Sequence, residues 1–378
     1  MKFSETTLLE DNIHPIHQTF LDLWREGCFD EYSEKHFLIR AIMKDPLLEK
    51  DVEQYRRNGF VSEFDPENFV QNFAIKICAL MAFFSDEVEK IKDFIRNQMA
   101  AGKQNYKEKS FFDAYSEILL LYYLGAMSDE NGRNFYEPSV NDESSKNPEA
   151  IFNYPNGKKI AIEVKNAAFP SLPQNPKFIM PLYPMKKEKL DELDIICQKD
   201  GYCLVRPRVG KMKDFINSAC EKFNKPLDDN SYNILAINWT DTNIPNLSVI
   251  EPAVYLGNKE NGMMQFDTMA SKISSESFVV NQDMYEKITA ILVFKNSMDT
   301  LFFSDFRYMF LQKEAVVILN PFLLDTAQKQ KDFLDTLKFH SFVADYNYCI
   351  SVPMPQTMLD GEVQMNYLDY VRENHIKP

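Results

Sequence analysis

The amino-acid sequence predicts an α/β fold, and three observations carry the prediction. Tyr232–Trp239, Ile288–Phe294 and Ala315–Leu319 are short apolar runs with the length and branched content of buried strands. Around them, apolar residues return every three or four positions, the spacing of a helix with one buried face. The third observation is the stretch 147–166, N-P-E-A-I-F-N-Y-P-N-G-K-K-I-A-I-E-V-K-N, where two alternating segments flank a Pro155-Asn156-Gly157 turn. Strands interleaved with helices build a layered core.

Taken in order, the chain opens as an α-helical N-terminal region spanning 1–104. Pro15 starts a helix in which Ile16, Phe20, Leu23 and Trp24 form a stripe. Asp65-Pro66 reads as a cap followed by a first-turn proline, with Phe69, Phe73, Ile77, Leu80, Met81 and Phe84 on one face. Ser85 is expected to cap the next helix, through Val88, Ile91, Ile95 and Met99. The polar break Ala101-Gly102-Lys103-Gln104-Asn105 marks the boundary of a second region, 105–378. There Ser110 and Asp113 form an S-x-x-D box, predicting a helix that turns Phe112, Tyr115, Leu119 and Tyr122 to the core and leaves Glu117 off that stripe. Further helices are expected around Met185–Cys197 and Lys211–Phe223, and one near Phe333, Leu334 and Leu337. Residues 240–285 lack periodicity and read as an insertion, and Phe169–Pro176 is a proline-rich connection.

The hairpin is where chemistry gathers. Proline presets the first turn position and glycine accepts the left-handed conformation that closes a three-residue loop. If Tyr154 pairs with Lys158, Phe152 faces Ile160, Ala150 faces Ile162 and Glu149 lies opposite Glu163. Glu149, Glu163 and Lys165 then share one face, while Phe152, Tyr154, Ile160, Ile162 and Val164 share the other. Two carboxylates about 5 Å apart repel by roughly 1 to 4 kcal/mol. A divalent cation between them reverses the sign. Oxygen ligands of this kind suit Mg²⁺, and a neighbouring ammonium can orient water or neutralise charge on a phosphate.

Pro148-Glu149, thirteen residues, then Glu163-Val164-Lys165 resembles the P-D…(D/E)-x-K signature of the restriction-endonuclease-like nuclease superfamily. The resemblance extends to an acidic residue on the preceding helix, Glu117. The family's usual aspartate is Glu149 here, longer by one methylene. What the resemblance implies is a mixed sheet flanked by helices over 105–378. It also implies Glu149, Glu163 and Lys165 as catalytic residues, Glu149, Glu163 and Glu117 as ligands of Mg²⁺ (or Mn²⁺), and hydrolysis of phosphodiester bonds, in DNA before RNA. The alternative is a catalytically silent protein of the same fold that serves in binding or assembly.

Composition bounds these readings. With 378 residues, 45% hydrophobic and 26% charged, the chain can bury a large core, and large-scale disorder is not expected. The net charge of −14 argues against a protein that coats nucleic acid non-specifically. Yet between Lys158 and Lys213 twelve basic residues stand against six acidic ones, leaving that segment at +6. Lys186, Lys187, Lys189, Arg206 and Arg208 are its candidate nucleic-acid contacts. The N-terminal helical region is the expected place for a protein partner or a second copy. Six cysteines without a C-x-x-C pair read as reduced thiols, and no apolar run approaches a membrane span, so a cytoplasmic location is expected. No glycine-rich phosphate motif, G-x-S-x-G or paired metal-ligand histidines appear. His14, His17, His36, His340 and His375 read as surface or capping residues.

Overall fold

The computed structural model describes residues 23, 25–27, 35–48, 65–99, 106–138, 146–167, 178–180, 187–204, 209–239, 284–295, 315–320, 322–338 and 362–373. The first-helix stripe (Leu23 excepted), the break at 101–105, the connection 169–176 and nearly all of 240–285 lie outside them. Helices are α1 (Phe37–Ile42), α2 (Pro66–Phe83), α3 (Val88–Asn97), α4 (Glu108–Gly125), α5 (Lys187–Asp200), α6 (Val209–Lys222), α7 (Met284–Lys287), α8 (Ala327–Leu337) and α9 (Glu362–Glu373). Strands are β1 (Phe135–Tyr136), β2 (Ala150–Asn153), β3 (Lys159–Asn166), β4 (Phe178–Met180), β5 (Tyr202–Leu204), β6 (Ser231–Asn238), β7 (Ala290–Phe294) and β8 (Ala315–Leu319). Six strands form a mixed sheet in the order β1-β2-β3-β6-β7-β8, and β4 pairs in parallel with β5. The α/β expectation therefore holds, and all three apolar runs are strands. Among the described residues no single helix is long and apolar enough to cross a membrane.

The chain divides into two compact units: Met1–Pro138 with Glu149–Ala161 and Asn296–Gln312, and Ser139–Pro148 with Ile162–Lys295 and Lys313–Pro378. The first is built on α4, whose Phe111, Tyr115, Ile118, Leu119, Leu120 and Leu121 are all buried. Asp65 caps α2 as expected, accepting from Glu67 N at 3.0 Å and Asn68 N at 3.2 Å. Phe69, Phe73, Ile77 and Leu80 of α2 are buried, and Phe69 and Phe73 meet Tyr115 with ring centroids 5.6 Å apart.

Two expected caps are corrected. Ser85 begins a one-turn 3₁₀ segment, Ser85–Glu87, and makes no cap bond. Buried Phe84 packs on Phe152 and Tyr136, forcing the chain to bend there, and the Glu87 carboxylate is drawn to Tyr136 N at 2.8 Å. Ser110 lies inside α4, which starts at Glu108 after Lys107 and has no side-chain cap. The entry to α4 is held instead by the Tyr106 hydroxyl, which accepts from Phe37 N at 3.1 Å, while Asp113 pairs with Lys109 at 3.0 Å.

In the second unit β6 pairs in parallel with β7, Ile234 opposite Ala290, and β7 pairs antiparallel with β8, Ala290 opposite Leu319. Every residue of β7 is buried, as are Tyr232 to Asn238 of β6. Strands covered on both faces need apolar residues on both, which is why these segments read as continuous runs. Polar side chains finish the strand ends: Asn233 Nδ2 donates to the carbonyls of Asn224 and Lys287, each at 2.7 Å, and Asn320 Nδ2 to Ile288 O at 2.8 Å.

His36 illustrates how tightly the first unit is closed. It caps α1 through Nδ1, which accepts from Leu38 N at 3.2 Å, so Nε2 is the protonated nitrogen that donates to Met99 O at 2.8 Å. Burial lowers its pKa from 6.5 to about 4. Because the folded value lies below the unfolded one, its contribution is complete above pH 6.5 and is lost as pH falls toward 4. That amounts to about 3 kcal/mol. Urea unfolding at a series of pH values should show this acid-side loss, and His36→Gln, which keeps a donor and an acceptor but does not titrate, should lack it.

Candidate functional site

The hairpin forms by the three-residue loop. Tyr154 N donates to Lys158 O at 2.7 Å, Pro155–Gly157 makes one 3₁₀ turn, and Gly157 has φ +74° with open space around it. The left-handed backbone alone demands glycine there. β2 and β3 are neighbours in the sheet. Phe152, Tyr154, Ile160, Ile162 and Val164 are buried as the core face. The Tyr154 hydroxyl donates to Leu124 O at 2.9 Å, satisfying a carbonyl in the last turn of α4.

Alternation along β3 puts Glu163 and Lys165 on the opposite face. On that face Glu163 is 0% exposed, whereas Lys159 is exposed and Ala161 and Lys165 are half-buried. Its Oε1 lies 2.5 Å from Lys165 Nζ and 2.7 Å from Lys222 Nζ, and Lys222 also donates to Oε2 at 2.9 Å. The two ammoniums are only 21% and 19% exposed. Lys222 is the last residue of α6, where the helix dipole favours a cation. That end is held by Lys287 Nζ, which donates to Cys220 O at 2.9 Å, and by a Lys225–Glu286 ion pair. Sequence reasoning missed Lys222. It closes the helix expected at Lys211–Phe223, but it lies 59 residues from Glu163, and nothing local ties the two together.

A buried carboxylate costs several kcal/mol unless compensated. Each ammonium at such separations attracts it by about 6 kcal/mol at an effective dielectric near 20. The cluster therefore has a net charge of +1. A divalent ion on Glu163 would have to share the carboxylate with both ammoniums, and each would repel it by several kcal/mol at the same dielectric. As arranged, the donor set of Glu163 does not fit Mg²⁺. Among the described residues no three His, Cys, Asp or Glu side chains are grouped to hold a metal ion.

The other expected ligands belong to the first unit. Glu117 of α4 accepts from the Tyr136 hydroxyl at 3.5 Å, and Glu149 is held at the start of β2 by its carbonyl, which accepts from Glu137 N at 2.8 Å. The Tyr136 phenol is pushed well above its usual range, first by burial and then by the negative charges of Glu117, Glu149 and Glu137. Glu117 and Glu149 thus share one environment around Tyr136. The β1 end that carries Tyr136 is fixed by Lys90 Nζ, which donates to Tyr136 O at 2.8 Å and Glu137 O at 3.0 Å.

Of the expected nucleic-acid contacts, Lys186, Arg206 and Arg208 lie outside the described residues. Lys187 opens α5, and Lys189 is exposed there, paired with Glu192 at 2.8 Å. Lys211 of α6 sits over the Phe215 ring at 5.5 Å.

Removing the negative charge leaves two crowded ammoniums, so Glu163→Gln should lower stability by about 3 kcal/mol. Lys222→Met leaves Glu163 paired with Lys165 and should cost less. Urea unfolding of the two variants beside the parent chain measures both.

The chain matches no family model, no curated protein and no solved structure.

Proposed function

We propose that this chain is a cytoplasmic nuclease of the restriction-endonuclease-like type, hydrolysing phosphodiester bonds in DNA. The observation that carries the reading is the direct contact of Glu163 with Lys165 on one strand, in an E-V-K segment that follows a Pro148-Glu149 strand start and a tight turn. A mixed sheet with helices and the Glu117-bearing helix α4 ahead of it agree with that fold type. In this reading Lys165, steadied by the Glu163 carboxylate, neutralises charge that builds on a phosphate oxygen in the transition state. The resemblance assigns Glu149 and Glu117 as the remaining carboxylates. Mg²⁺ or Mn²⁺ belongs to the proposal, although Glu163 in the arrangement described above does not accept either ion.

A second reading, a silent fold that binds nucleic acid or takes part in assembly, is favoured by one observation: both Glu163 oxygens are engaged by ammoniums. Catalysis separates the two. In an assay with plasmid and oligonucleotide DNA and Mg²⁺ or Mn²⁺, Lys165→Ala should lose about 10²-fold or more in turnover with little change in substrate affinity. Glu149→Asp, which restores the family's residue, should keep or raise activity. Parent protein that cleaves neither DNA nor RNA supports the silent fold.

The substrate side rests on the +6 segment from Lys158 to Lys213. Changing Lys186, Lys187 and Lys189 together to glutamine should weaken DNA binding and reduce the steepness of its salt dependence. Unchanged affinity and slope would place the contact surface elsewhere.

A further inference from the structure

We draw no further inference here: the strongest candidate, the side-chain cluster in which the Lys165 and Lys222 ammoniums meet at β3, belongs to the site already described, where Glu163 engages both of them.

Discussion

A carboxylate with no solvent exposure must be neutralised where it lies, and Glu163 sets that requirement at the centre of β3. Lys165 meets part of it from the same strand, because residues two apart share a face. Lys222 meets the rest, which fixes where α6 ends relative to β3. The anchors at that end, Lys287 on the Cys220 carbonyl and Lys225 on Glu286, extend the constraint to the segment leading into β7. One buried charge thus fixes a strand, a helix end and the approach to a second strand.

The polar groups elsewhere obey the same accounting. Strands β6 and β7, buried on both faces, leave no surface on which water can satisfy the backbone at their ends. Asn233, Thr289 and Asn320 do so instead, and Asn238 joins Asn166 at the far end of β3 through a 2.9 Å bond. In the first unit Tyr154 and Lys90 play this part, Tyr154 donating a hydrogen bond to the carbonyl of Leu124 and Lys90 to those of Tyr136 and Glu137.

Glu117 and Glu149 concentrate negative charge around Tyr136, whereas Glu163 stands among positive charge. The three carboxylates expected to act alike occupy two opposite electrostatic environments. In a chain of net charge −14, the Lys165–Lys222 pair is a local inversion of sign; Lys165 belongs to the basic segment Lys158–Lys213, and Lys222 lies beyond its end.

Short-range chemistry made much of this molecule legible from its residues. The Pro155-Asn156-Gly157 loop, the core face of the hairpin, the Asp65 cap and the three buried strands all follow from interactions within a few positions, or from periodicity. The starts of the helices near Ser85 and Ser110 depart from the local pattern for the opposite reason: Phe84 packs on Phe152, and the Tyr106 hydroxyl accepts from Phe37 N. The sequence by itself determined the fold class and the presence of Glu163 and Lys165 on one strand face. Only the tertiary structure decided that Glu163 on this face is buried and that Lys222, from 59 residues away, closes on it. An ion pair depends on distance in space, and no local pattern encodes which distant ammonium a buried carboxylate will meet.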